Sequence, residues 1–532
     1  MHIVQISCSS NEVTRSEVSE CHMDIPEPGA GQQEQRGNRW WLLIAILACC
    51  LSTFIVRWHT WDEPLEADET MYLLIVQEVM HGKQLYTDVY DNKPVGCFML
   101  LHAVAKVAGL SHNMMKATGL ASMILGGCLL LGMLEQRRTL IGYAVLWGLM
   151  NGIYRIHANG SNAEVLMMPM ITGTLFSTYC AIRRKEAAWV WLGMVLVSAA
   201  CLIKLTALPY AALPIAGWMV SKGPRWQKVL HLIGACCLAL VLWILAFRLY
   251  GVDLQGIRAL LSDGGEYVAY HVSGLRHYGW LVKQMVKHEA LRVILLILCI
   301  STLVFSLHYI RILRQNQHCM FHVICTYQKE WLTLLFFLCT LVAIFLPAKI
   351  NPHYWVLAIP AICLMIDTVV AAIPRKSAWG YLICVMVCLS IYLGTAYFSK
   401  TPNAISEEKY DSIWFTRDRR IGTLFAEAGY KGLTVFADGS HHSAIFYSGN
   451  RAATRYMAIW FLMMGKTSVE ETMYELEASP PQALMLLDMS YMEEKGFGDR
   501  LRLFADEYYE QVMVTPTGGR FMIRCDLLGL EE

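Results

Sequence analysis

Asp68 and Glu69 stand side by side in a segment that reads WDEPLEADETMYLLIVQEVMHGKQLYTDVYDNKP from Trp61 to Pro94. Asp62, Glu63, Glu66, Glu78, Asp88 and Asp91 surround them, against only Lys83 and Lys93. A carboxylate placed beside a hydroxyl can take its proton as the hydroxyl attacks. An ammonium placed beside a phosphate oxygen stabilises charge that builds there. Asp68 and Glu69 are therefore the candidate base, and Lys93, with Asp91 two residues before it, the candidate group for an anionic lipid phosphate. The plainer reading is an acidic, solvated loop outside a membrane, because Lys and Arg are retained on the inner side.

Three other places carry polar residues in apolar surroundings. HANGSNAE brings Asn159, Asn162 and Glu164, ACLIKLTALPY brings Lys204, and PAKINPHYW brings Lys349, His353 and Tyr354. Ionisable groups at membrane depth are costly and tend to face a cavity or a partner. Each also has a structural explanation. Lys204 and Lys349 can snorkel to the interface, His353–Tyr354–Trp355 can form an aromatic belt, and Glu164 can favour the start of its helix. Carboxylates and lysines on one face together point to chemistry on an anionic substrate held in a membrane.

The elements that position these residues are membrane helices. The chain has 532 residues, 55% hydrophobic and 16% charged, whereas soluble domains carry roughly 25% charge. Many runs approach the ~20 apolar residues that cross a bilayer, and within such runs only a helix satisfies the backbone. The class is a polytopic α-helical membrane protein. The net charge of +1 gives no support for nucleic-acid binding, and no paired CxxC spacing among the 18 cysteines suggests zinc.

Residues 1–38 read as a polar, disordered cytoplasmic tail without the features of a secretory signal. Arg36 and Arg39 precede the first span, from Trp40, which places the N-terminus inside and the acidic segment outside. Pro94–Leu110 is short, and Arg137 and Arg138 after the next span read as cytoplasmic, so Pro94–Leu110 is expected to lie at the surface or re-enter. The later basic clusters then alternate correctly over about eleven spans, the last at 381–398, with the C-terminus outside. Between 251 and 290 an outer loop with short interfacial helices is expected. The catalytic membrane domain is placed at 39–399 and an extracytoplasmic α/β domain at 400–532. In the latter, LTVFAD, SAIFYSG and QALMLLDM read as strands, 468–476 as a helix, and QVMVTPTGGRFMIRC as a hairpin. No GxGxxG or P-loop supports a nucleotide site there.

The order of ADETMY, YTDVYDNKP, SNAEVLMMP, CLIKLTALPYAALP, PAKINPHYWVLAIP and LTVFADGSHHSAIFYSGNRAATRY resembles bacterial polyprenyl-phosphate-dependent glycosyltransferases of the GT-C fold. These are relatives of protein O-mannosyltransferases and of the lipid A aminoarabinose transferase. Val95 stands where the family often has the second proline of KPP. The resemblance implies a GT-C membrane domain in the bacterial plasma membrane and a polyprenyl-phosphate-linked sugar as donor. The acceptor would be a glycolipid, polysaccharide or protein. It implies Asp68 as general base with Glu69 able to share the role, and Lys93 at the donor phosphate. It also places Glu164, Lys204, Lys349 and Tyr354 around the substrate, and Asp91 and His353, expected on the same outer face, join them as candidate substrate-binding residues. No cofactor and no divalent metal are expected, although the acidic loop could supply oxygen ligands. A transporter or flippase of lipid-linked sugars, a sensor or scaffold, and a metal-dependent enzyme using a pyrophosphate-linked donor are the competing readings.

Overall fold

Long apolar runs close their backbone hydrogen bonds within helices, and the chain is helical over most of its membrane part. The computed structural model describes residues 30–134, 139–220, 224–271, 306, 310, 328–347, 351–372, 375–439, 441–457, 468–487, 497–515 and 518–529. The first half contains α1 (Ala30–His59), α2 (Ala67–Met80), α3 (Val95–Ala108), α4 (His112–Leu131) and α5 (Leu140–Met150). It continues with α6 (Ala163–Leu166), α7 (Met168–Arg184), α8 (Ala187–Ile203), α9 (Ala212–Val220), α10 (Arg225–Leu249) and α11 (Leu254–His271). After these come α12 (Gln328–Phe345), α13 (Ala358–Ala372) and α14 (Arg375–Ala396).

Among the described residues, seven helical segments are long and apolar enough to cross a bilayer: Trp40–His59, His112–Leu131, Ala163–Arg184, Trp226–Leu249, Gln328–Phe345, Pro352–Ala371 and Trp379–Ala396. The protein is a multi-pass membrane protein. The other expected crossings fall on the shorter apolar helices Leu140–Met150, Ala187–Ile203 and Leu205–Val220, and on 291–310, of which only 306 and 310 are among the described residues. The window in Pro352–Ala371 is 94% buried and that in Trp226–Leu249 only 11%, so the former is central and the latter peripheral. At 14 residues, α3 is about 21 Å long against a hydrocarbon core of about 30 Å, and it belongs with the shorter apolar helices.

Two sequence expectations need correction. The first helix already runs at Ala30, inside the stretch expected to be a disordered tail; AGQQEQR is rich in helix-forming residues. SAIFYSG is not a strand: His442–Tyr447 is a helix. Its neighbours explain this. Strands β1 (Thr434–Ala437) and β2 (Arg451–Ala452) pair in parallel, and a parallel pair needs a crossover rather than a hairpin.

The C-terminal domain begins with α15 (Pro402–Tyr410) and α16 (Trp414–Glu427), and the crossover helix is α17 (His442–Tyr447). Then follow α18 (Ser468–Ala478), β3 (Ala483–Leu486), α19 (Phe497–Tyr508), β4 (Tyr509–Val514) and β5 (Arg520–Arg524). The sheet order is β2-β1-β3-β5-β4. β4 and β5 form the expected antiparallel hairpin. Phe425 of α16 stacks on Phe521 at 4.6 Å between ring centres.

The C-terminal domain docks directly on the acidic segment. α2 packs against α17 and β2. Arg451 reaches buried Glu78 with Nε at 3.2 Å and Nη2 at 3.0 Å. The backbone N–H of Tyr90 donates to the carbonyl of Arg455 at 3.1 Å.

Candidate active site

The N-terminus of α2 sorts its carboxylates by helical direction. Glu66 is the N-cap and Glu69 the N3 residue of a capping box: the Glu69 Oε2 accepts from the Glu66 N–H at 2.9 Å. The other oxygen of Glu69 accepts from the N–H of Ser161. Successive residues on a helix diverge by about 100°, so Asp68 faces elsewhere. Its side chain keeps 24% exposure, and its Oδ2 accepts from the Tyr72 hydroxyl at 3.1 Å.

Lys93 stands between two aspartates. Its Nζ is 3.5 Å from Asp68 Oδ2 and 3.3 Å from Asp91 Oδ1. Asp91 Oδ1 also accepts the Lys93 backbone N–H at 3.0 Å, and the ammonium lies 5.3 Å from the centre of the Tyr72 ring. Asp91 is fully buried, and that burial raises its carboxyl above the usual value despite the nearby ammonium. Burial also pushes Asp68 upward, but Lys93, with help from His353, outweighs it and holds Asp68 below the usual value. The two aspartates around one lysine thus differ: Asp68 is the stronger acid and the more exposed.

The backbone that presents Lys93 is itself constrained. Tyr86 adopts φ +70°, an uncommon conformation for a bulky residue. Its hydroxyl donates to the Lys93 carbonyl at 2.7 Å. Arg455 of the C-terminal domain donates to the Tyr86 carbonyl from Nε at 3.2 Å and Nη2 at 3.0 Å.

Facing this set is a second one from the membrane helices. Lys204 has extended backbone, φ −156° and ψ 129°, between α8 and the 3-10 turn Leu205–Ala211. Pro209 lies within that turn and lacks a backbone N–H to donate. The Lys204 ammonium pairs with Glu164 at 2.5 Å and sits 4.4 Å from the Tyr354 ring centre. Glu164 opens α6, whose N-cap is Asn162, the Asn162 side chain accepting from Val165 N at 3.2 Å. The His353 Nε2 lies 4.0 Å from Glu164 Oε1, and the His353 and Tyr354 rings meet edge to face at 4.7 Å. Among the described residues Glu164 Oε2 and Asp91 Oδ2 are buried without a hydrogen-bond partner. Lys349 lies outside the described residues.

The structure therefore brings together Asp68, Asp91, Lys93, Glu164, Lys204, His353 and Tyr354, and commits Glu69, as the N3 residue, to the capping box of α2. Sequence reasoning missed several groups that hold this arrangement. Tyr72 was readable, because it follows Asp68 by four residues on one helix. Glu66 accepts from the Tyr410 hydroxyl, and its Oε2 lies 3.0 Å from His157 Nδ1. Burial opposes its ionisation, but His157 and Lys409 hold its carboxyl well below the usual value. Glu63 accepts from Lys409 at 3.0 Å and from Asn159, with Lys116 at 4.0 Å. Arg57 grips the carbonyls of Ala158 and Gly160, each at 2.6 Å, shaping the loop that carries Asn159 and Ser161. Nothing local in the sequence signals Tyr410 or Lys409.

The arrangement offers an accessible carboxylate, two ammonium groups on separate elements and a histidine. No protein-family model and no curated protein matches the chain. Two solved structures of ArnT from Cupriavidus metallidurans do match in three dimensions. The one bound to undecaprenyl phosphate gives a TM-score of 0.55 at 12% identity, covering 91% of this chain and 97% of that one. The apo state gives 0.54 at 13% identity, covering 91% and 98%. The chain has the ArnT-type GT-C fold. The likeness extends over nearly the full length of both chains, so it takes in the membrane helices and the C-terminal domain alike.

Proposed function

We propose that this protein is a membrane glycosyltransferase that moves a sugar from a polyprenyl-phosphate donor to an acceptor hydroxyl on the outer face of a bacterial plasma membrane. The observation that carries the reading is Lys93 held beside Asp68, with Lys204 on the facing element, in a fold shared with a protein crystallised with undecaprenyl phosphate.

In this reading the acceptor oxygen forms a bond to the anomeric carbon as the bond from that carbon to the donor phosphate oxygen breaks. Attack in line with the leaving group inverts the anomeric centre. Asp68 receives the hydroxyl proton; a depressed carboxylate remains ionised and ready at neutral pH. Lys93 and Lys204 stabilise the charge gained by polyprenyl phosphate as it departs. His353 and Tyr354 orient Glu164 and Lys204, and Glu164 keeps Lys204 charged and placed. A monophosphate leaving group met by two ammonium ions needs no divalent metal, so turnover is expected to survive exhaustive chelation; loss with EDTA and rescue by Mn²⁺ would count against this and favour a metal-dependent mechanism.

The test is release of free polyprenyl phosphate by the purified full chain in membranes containing polyprenyl-phosphate sugars, compared with Asp68→Asn. Release by the wild type that disappears in a folded, inserted variant supports the proposal. Equal release by both removes Asp68 as the base. Movement of intact lipid-linked sugar across the bilayer without release would establish a transporter instead.

A further inference from the structure

Arg455 stands where three segments meet. Its Nη2 lies 2.9 Å from Asp263 Oδ2 on α11, and its Nη1 lies 2.9 Å from Glu471 Oε1 on α18. Its Nε and Nη2 donate to the Tyr86 carbonyl at 3.2 and 3.0 Å. Four of the five N–H groups of the guanidinium are thus engaged. The main chain is held as well: the Arg455 N–H donates to Glu475 Oε2 at 2.9 Å, and the Arg455 carbonyl accepts from the Tyr90 N–H at 3.1 Å.

Docking of the C-terminal domain accounts for only part of this arrangement. Asp263 and Glu471 together balance and orient the guanidinium, yet one edge of it is given to a neutral carbonyl. Two N–H groups from a rigid plane fix the direction of that carbonyl, which a single ammonium on a flexible stem does not. The carbonyl belongs to Tyr86, whose φ of +70° is uncommon for a bulky residue. The Tyr86 N–H closes the turn on the Val89 carbonyl at 2.6 Å. The Tyr86 side chain is fully buried, and its hydroxyl donates to the Lys93 carbonyl at 2.7 Å. Lys93 precedes Pro94, the N-cap of α3, and so lies outside that helix. Arg455 and Lys93 are therefore joined in series, through one residue that is bonded to both.

We propose that Arg455 is a positioning residue for donor binding, acting through Tyr86 to set the place at which Lys93 meets the donor phosphate. The proposal rests on the glycosyltransferase reading and extends donor recognition from the membrane domain to the C-terminal domain. With the turn fixed, the Lys93 ammonium stays between Asp68 and Asp91. Freed of Arg455, the turn relaxes toward commoner backbone angles and the Tyr86 hydroxyl leaves the Lys93 carbonyl. The ammonium is then spread over several positions, and the phosphate is bound more weakly.

The test uses the full chain in detergent micelles and two radiolabelled probes, undecaprenyl phosphate and undecaprenol, which differ in the phosphate alone. Arg455→Lys keeps a cation facing Asp263 and Glu471 but loses the fork on the Tyr86 carbonyl. Tyr86→Phe removes only the hydroxyl. Each is expected to bind undecaprenyl phosphate about tenfold more weakly than wild type, with undecaprenol binding and the thermal midpoint little changed. The double variant is expected to stay within about twofold of the weaker single variant, because contacts in series do not add. Unchanged phosphate binding in Arg455→Lys, or losses that multiply in the double variant, overturn the proposal. Equal weakening of both probes shows a merely structural role and overturns it too. A wild type that does not prefer undecaprenyl phosphate to undecaprenol removes Lys93 as a phosphate group, and with it both the donor assignment and the positioning. Release of polyprenyl phosphate by wild type separates the two proposals. Phosphate-selective binding that both variants lose, without release by wild type, sinks the transferase reading and leaves the positioning of a phosphate site; release with unchanged binding in the variants sinks the positioning alone.

Discussion

Two groups of carboxylates within one short segment meet opposite fates. Glu63, Glu66, Glu69 and Glu78 are at most 5% exposed, and each is bound by groups from distant parts of the chain: Lys409, Tyr410, Ser161 and Arg451 in turn. Asp68, one position from Glu69, keeps an accessible side chain next to Lys93. The first group fastens the membrane helices to the loop at 157–161 and to the C-terminal domain. The second keeps an open oxygen beside a cation, the feature on which its proposed role as base rests. A dense run of acids at a membrane surface is therefore neither a solvated loop nor a uniform catalytic patch. The helical turn of α2 decides which acid does which.

The sharpest way to break this comparison is to neutralise one carboxylate of each kind. Asp68→Asn is expected to lower donor turnover by about 10²- to 10⁴-fold with the unfolding midpoint in detergent little changed. An unaltered turnover would move Asp68 into the fastening group. Lys409→Met leaves Glu63 buried without its closest cation and is expected to cost about 3–5 kcal/mol of stability, read as a lowered thermal midpoint. The double variant Glu63→Gln with Lys409→Met should recover a large part of that loss, because no unpaired charge remains; a purely additive loss would show that the pair does not act as a unit.

Glu69→Gln tests the middle ground. It weakens the capping box and the bond from Ser161, so a loss of about 1–3 kcal/mol is expected, with turnover reduced far less than by Asp68→Asn. A variant of Glu69 as inactive as that of Asp68 would show that both share the proton. The pH profile sharpens the contrast further. Lys93 holds Asp68 low, so Asp68 is ionised at neutral pH and loses activity only as pH falls through a value below the usual aspartate value of about 4. In Lys93→Gln the acid limb of the residual activity should move to higher pH, because burial remains and the cation is gone. A limb that stays in place would detach Lys93 from Asp68. The smallest effect is expected at Asp62, whose side chain is 75% exposed while paired with Arg419; Asp62→Ala should change stability by no more than about 1 kcal/mol.

Much of the architecture was legible because it follows from hydropathy and turn chemistry. The long apolar segments and the β4–β5 hairpin both have local signatures. Gathering Lys93, Glu164, Lys204, His353 and Tyr354 into one site required only that ionisable residues at the ends of apolar runs share a side. The remainder was hidden for specific reasons. Glu69 was paired with Asp68 by adjacency, although adjacent helical residues face different ways. SAIFYSG has the length and apolar content of a strand, and only the parallel pairing of its flanking strands requires a helix there. Tyr410 and Arg455 contact residues more than three hundred positions earlier, a separation over which no periodicity carries information.

That separation has a consequence for how the chain is made. Residues 61–94 leave the ribosome long before Lys409, Tyr410, Arg451 and Arg455, on which their buried acids and the Tyr86 turn depend. Throughout most of synthesis the acidic segment has to remain hydrated, since burying Glu63, Glu66 or Glu78 without these partners is unfavourable. Its closure against the body of the protein is thus a late event, triggered by arrival of the C-terminal domain. Until that arrival, the Tyr86 turn, whose hydroxyl holds the Lys93 carbonyl, lacks the Arg455 hydrogen bonds that anchor it.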